Sequence, residues 1–178
     1  MKGIMFNSRY GLEQAVLRGD KTRTWRADKN PRYKVGEIVA IKQCYKHIIT
    51  NEPKEWLYDK GLLANLPFEG EIMPLAYLYS AGYNNKMFVP AALMPHQIII
   101  TEVIHCRVQN ASDLDIIDEG IKFLKEIDMY YFDNTILDEG FYFYSAQQAF
   151  ASLINKINGK GFWERNPNGF AYKFKLLN

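Results

Sequence analysis

The sequence predicts one α+β domain whose mixed or antiparallel sheet closes into a small barrel flanked by short helices. Strand-like segments stand at both ends of the chain, helical segments interrupt them, and a long β-branched run occupies 98–108. A chain of 178 residues suits a single domain over 1–178 and is long enough to bury a full core.

The elements follow in order. Gly3 to Phe6 is short and apolar and reads as a first strand. In 11–18, Leu12, Ala15 and Val16 recur at helical spacing, and Gly19 is a natural C-terminal stop. Lys21 to Arg26 leaves that helix in extended form. Val35 to Gln43 reads as a buried strand entered through a turn at Gly36. Between about 45 and 97 periodicity fails, and Pro53, Pro67, Pro74, Pro90 and Pro95 punctuate the stretch. It reads as a long loop over one mouth of the barrel. Ser112 is placed to cap a short helix ending near Asp118, with Leu114 and Ile117 inward and Gly120 as its stop. Ser145 caps a longer helix with Phe150, Leu153, Ile154 and Ile157 on one stripe, stopped by Asn158-Gly159. Asn166 to Gly169 is a turn. The final strand alternates Phe170, Tyr172, Phe174 and Leu176 with Ala171, Lys173 and Lys175.

Composition bounds the function. Apolar residues make up 48% and aromatic residues 15%, which excludes a disordered tail. A net charge of only +2 argues against a strongly basic, non-specific nucleic-acid binder, although Lys21, Arg23 and Arg26 cluster locally. The two cysteines, Cys44 and Cys106, are too few for a disulfide scaffold, so reduced thiols are the expectation. No basic-then-apolar leader opens the chain, and no apolar run of about 18 residues occurs. A soluble cytoplasmic protein is the expectation. His47, His96 and His105 lie far apart without metal-ligand spacing, so no metal is expected, and no cofactor motif occurs: there is no glycine-rich phosphate loop and no nucleophile elbow.

Several blocks resemble a known family. "GIMFN", a short helix and "LRGDKTRTWR" resemble the signature of the ASCH family of PUA-like barrels. "KVGEIVAIKQCY" is similar to the family's Gly-acidic wall strand. "ALMPHQIIITEVIHCRVQNASDLDIIDEGI" resembles the Met-Pro strand and helix of phage-type ASCH proteins, and "FASLINKINGKGFWERNPNGFAYKFKLL" their closing segment. The stretches near 46–91 and 122–144 are outside the resemblance and read as insertions. The resemblance implies a PUA-like barrel with one pocket at the Lys21–Arg26 strand, and RNA or a modified nucleoside as partner.

Some small bacterial members of the family deacetylate acetylcytidine. The matching site residues here are Lys21, Thr24 and Glu119, with Asp118 a neighbour able to replace the last. The resemblance therefore carries a second implication, an amidohydrolase acting on acylated cytidine. The chemistry is coherent. A Thr hydroxyl needs a base, a Lys is a base only when neutral, and Arg23 and Arg26 supply positive charge that disfavours its ammonium. Glu119 then passes a proton to the leaving amine. Residues i and i+3 of a straight strand face opposite ways, so Lys21 and Thr24 converge only if the chain bends after Gly19.

Other residues carry weaker signals. Arg23 and Arg26 offer guanidinium forks for phosphate, or else form a solvated edge. Lys42 on the second strand faces the pocket mouth or the surface. Trp163 stacks on a base or plugs the barrel's end. Asn7 reads a base edge or caps the next helix. The tyrosine-rich stretches 129–132 and 141–144 pack the insertion or, in a third functional reading, bind a protein as part of a mobile-element-derived interaction module.

Overall fold

The computed structural model describes residues 1–66, 70–72, 77, 79–132 and 142–177. Its contacts divide the chain into two units, one of 1–5 with 38–97 and one of 6–37 with 98–178. The chain is α+β, with parallel pairing in one ladder and antiparallel pairing in others.

In the first unit, β1 (Lys2–Ile4) runs parallel to β3 (Ile38–Ile41), with Gly3 opposite Ala40. The chain then forms α2 (Tyr45–Asn51) and α3 (Lys54–Asp59), with Pro53 as N-cap of the second. A core of Ala40, Tyr45, Ile48, Leu57, Leu62, Val89 and Met94 closes this unit. A hairpin of β4 (Ala64–Leu66) and β5 (Gly70–Ile72) follows. The expected long loop is thus largely structured over its first half. Helices of seven and six residues complete too few turns for the apolar period to emerge, and Pro53 reads as a breaker when it starts a helix. Pro67 and Pro74 of that expectation lie outside the described residues.

In the second unit, α1 (Leu12–Leu17) buries Leu12, Ala15 and Val16 as the spacing predicts. Gly19, at φ +80°, ends it. Its N–H donates to the Val16 carbonyl at 3.0 Å and that of Asp20 to the Ala15 carbonyl at 2.8 Å, a Schellman closure that only a residue tolerant of positive φ completes cheaply. The chain, turned back by this closure, enters β2 (Arg23–Arg26), antiparallel to β9 (Asn168–Leu177), with Thr24 opposite Tyr172. Strand β9 lies between β2 and β6 (Gln97–Arg107). The expected alternation holds only in part at β9: Tyr172 and Phe174 are buried and Lys175 is exposed, but Ala171 on the other face is fully buried, and Phe170, Lys173 and Leu176 are all half-buried. Within neither unit do the described strands close into a barrel.

Helix α4 (Asp113–Asp118) has the expected Ser112 cap, completed by a capping box with Asp115. Its rotation differs from expectation. Ile116 is fully buried, whereas Leu114 is 76% and Ile117 39% exposed. Asp115 and Glu119, one turn apart, both turn toward β2, and their ion pairs there set the helix phase. A β7 (Ile121–Leu124) and β8 (Met129–Phe132) hairpin follows. Last comes α5 (Ala146–Asn158), capped by Ser145 and stopped at Gly159, φ +98°. It buries Phe150, Leu153 and Ile154, but Ile157 is exposed.

Candidate functional site

The second unit assembles a buried ionic cluster from β2 and the end of α4. A helix leaves its last carbonyls without internal partners. Here Thr22 N–H donates to the Asp118 carbonyl at 2.9 Å, and Lys21 Nζ donates to that of Glu119 at 2.6 Å. The backbone of the Lys21–Arg26 segment is thereby docked on the C-terminal end of α4, where a cation is favoured. Gly120, at φ +99°, lets the chain turn beside the Lys21 side chain.

The Glu119 carboxylate is shared. Its Oε2 accepts from Lys21 Nζ at 2.9 Å and its Oε1 from Arg23 Nη1 at 2.9 Å. Lys21, Arg23 and Glu119 are all buried, at 2%, 2% and 4% exposure. Arg23 also lies 3.3 Å from Asp115 through its Nε, an ion pair whose angle falls short of a hydrogen bond. Asp115 in turn accepts from the Ser112 hydroxyl at 2.8 Å and the Ser112 N–H at 3.1 Å.

Burial dominates the electrostatics. It pulls the Lys21 ammonium below the ordinary lysine pKa, Glu119 pulls it back up, and Arg26 and Arg23 add to the lowering. Burial pushes the Asp115 carboxyl up, but its bonds to Ser112 and the nearby Arg23 outweigh this and leave it below its ordinary value. Arg26 is lowered by burial, yet a guanidinium stays charged at any working pH.

The remaining sequence candidates are placed as follows. Thr24 is buried on β2 next to this cluster, and its side chain makes no hydrogen bond to Lys21 or Glu119. Strand alternation sends Thr24 and Arg26 to the side opposite Arg23 and Trp25. Arg26 lies over the Phe6 ring at 5.9 Å. Arg23, read in sequence as a fork for phosphate, commits its guanidinium to Glu119 and Asp115. Asn7 caps a one-turn helix, accepting from the Arg9 N–H at 3.0 Å. Trp163 packs edge-on against Phe150 at 5.8 Å. Lys42 belongs to the first unit, where its ammonium donates to the Val89 carbonyl and its stem lines a shallow groove with Gly3, Met5, Met87 and Ala91.

Sequence reasoning missed Asp115 and Gln43. Asp115 had a signal, since an acid three residues after a Ser cap is a capping-box residue, but nothing in sequence points it at Arg23. Gln43, two residues past β3, is fully buried, and among the described residues neither amide atom has a hydrogen-bond partner. Among the described residues no His, Cys, Asp and Glu cluster is arranged to hold a metal, and no helix is long and apolar enough to cross a membrane. The chain matches no family model, no curated protein and no solved structure.

Proposed function

We propose that this protein binds RNA or a modified nucleoside at the Lys21–Arg26 segment, on a PUA-like scaffold of the ASCH type. The observation that carries the reading is the burial of Lys21, Arg23 and Glu119 as one ion-paired group. Desolvating three charges contributes little net stability that apolar side chains would not match. Clusters of this kind, with a titratable group displaced from its ordinary value, concentrate at functional sites. Lys21 has three N–H donors, of which two bonds go to Glu119. Thr24 adds a hydroxyl able to donate or accept, and Arg26 adds a positive charge. The resemblance of the Lys21 to Thr24 motif to the ASCH signature supplies the ligand class.

A second reading, an amidohydrolase on acylated cytidine, is favoured by the lowered proton affinity of Lys21 and its bond to Glu119. In that reaction Lys21, once neutral, takes the Thr24 proton as the hydroxyl oxygen attacks the acyl carbon, Glu119 relays that proton from Lys21 to the departing amine as the amide bond breaks, and water then hydrolyses the ester left on Thr24. Binding is the better supported of the two. Thr24 and Lys21 are not hydrogen-bonded, and Glu119 opposes the loss of the Lys21 proton that burial favours.

Acetylcytidine incubated with wild type and with Thr24→Ala, analysed by chromatography and by calorimetric titration, tests both readings. A binder retains the nucleoside intact, and Thr24→Ala costs about 0.5–1.5 kcal/mol of affinity, the worth of one hydrogen bond. Cytidine released by wild type and not by Thr24→Ala establishes the hydrolase. Neither binding nor turnover with a panel of acylated nucleosides and short RNA overturns the proposal.

A further inference from the structure

Resting on the reading of the Lys21–Glu119 cluster as the ligand site, we propose that Arg23 is a positioning residue: it touches no ligand, but holds the Glu119 carboxylate, and through it Lys21, in the orientation that presents Lys21 to the ligand. The two Glu119 oxygens are divided between two cations, Oε1 to Arg23 and Oε2 to Lys21. A carboxylate held at both oxygens has its plane fixed. Held at one, it rotates about its last bond and can offer both oxygens to the remaining cation.

Arg23 is itself locked from behind. Its Nε faces Asp115, and Asp115 is pinned by two bonds from Ser112, the cap of α4. The chain of contacts Ser112–Asp115–Arg23–Glu119–Lys21 thus ties the start of the helix to the ammonium at its end. The Arg23 guanidinium is committed to Glu119 and Asp115, so its planar fork is occupied within the protein. A lysine cannot reproduce this span, because a fork reaches two acceptors at fixed angles and an ammonium is a point charge.

Other charged and titratable groups among the described residues act on the cluster. Arg26 acts on both Lys21 and Glu119. On the β6 and β9 side, the Cys106 thiol feels Arg23, Asp115 and Glu119, and Lys173 stands opposite Arg23 in the ladder, 3.4 Å from Glu102. Removing Arg23 takes one positive charge from beside Lys21 and frees Glu119 to pair with Lys21 alone. Both changes favour the Lys21 ammonium, so its deprotonation moves to higher pH.

The test has a ligand-free arm and a ligand arm. In the ligand-free arm, NMR follows the titration of the Lys21 side-chain nitrogen in wild type, Arg23→Gln and Arg23→Lys. The expected result is a titration moved to higher pH in Arg23→Gln and returned toward wild type in Arg23→Lys, which restores the charge. In the ligand arm, acetylcytidine titrations are expected to weaken about tenfold in Arg23→Gln, the loss of a hydrogen bond to a charged group. Arg23→Lys is expected to recover only part of that affinity, since charge returns without the fork. An unmoved Lys21 titration in Arg23→Gln overturns the positioning role even if wild type binds well. A moved titration with no nucleoside bound by wild type leaves the clamp standing and overturns the ligand reading on which its purpose rests. Should Arg23→Gln fail to fold, Arg23→Lys alone decides: full wild-type affinity in that variant overturns the need for a fork, and a loss supports it.

Discussion

Unit 2 buries Lys21, Arg23 and Glu119 with every charge facing an opposite one, whereas unit 1 buries Gln43 with both amide atoms unbonded. The two regions are opposite solutions to one problem, a polar group taken out of water. In the ionic cluster the Coulomb attraction and the hydrogen bonds offset desolvation, so the cost of losing one member depends on how many partners it leaves behind. At Gln43 no hydrogen bond to a described residue offsets it, and the amide is expected to cost the fold. Burial alone therefore says little about a polar side chain. What its partners are, and whether removing one strands another, decides the sign of any substitution.

The largest effect is expected at the shared anion. Glu119→Leu takes the only carboxylate described beside Lys21 and leaves Arg23 with Asp115 alone, and it should cost about 3–5 kcal/mol in urea unfolding. Lys21→Met should cost clearly less, because Glu119 keeps Arg23. Equal losses from the two would break the description of Glu119 as the shared partner. Gln43→Leu should move the other way and gain about 1–3 kcal/mol, the penalty of an unsatisfied polar group. A loss of stability there would mean that the amide is bonded in solution, and the contrast between the units would vanish. Ser112→Ala removes the helix cap and one of two bonds on Asp115, and should cost about 1 kcal/mol by thermal melting.

The smallest effect is expected at the exposed pairs of Asp20 with Arg18 and Lys122, at 2.9 and 3.4 Å. The hydrogen bond from Arg18 is the main reason that the Asp20 carboxyl sits below its ordinary value, against a smaller opposing effect of burial. A carboxyl lowered on folding stabilises above its unfolded pKa, and that contribution disappears as pH falls through the folded one. Asp20→Asn should therefore flatten the acid limb of the stability profile slightly, by less than about 0.5 kcal/mol, and added salt should erase the difference. A larger change would show that surface pairing in this unit rivals the buried cluster.

The sequence by itself determined what is local. Gly19 marks a helix end because its positive φ is cheap only for glycine, Ser112 marks a helix start because its hydroxyl meets an N–H within one turn, and the residue alternation over 170–176 marks a strand. The motif at Lys21 and the acid at Glu119 were also readable as a pair, on resemblance. Tertiary structure alone decided the rest. Lys21 and Glu119 are 98 positions apart, and no local rule sets their 2.9 Å contact or assigns Arg23 to the second carboxylate oxygen. The same ion pairs rotated α4 so that Asp115 and Glu119 face inward and Leu114 faces water, against its apolar pattern. The helices at 45–51 and 54–59 were hidden because each is too short to repeat its period, and the burial they share with Leu62, Val89 and Met94 comes from residues far along the chain. The physical reason is one of range: caps, turns and periods act within a few residues, whereas desolvation and charge pairing depend on which distant residues share a volume.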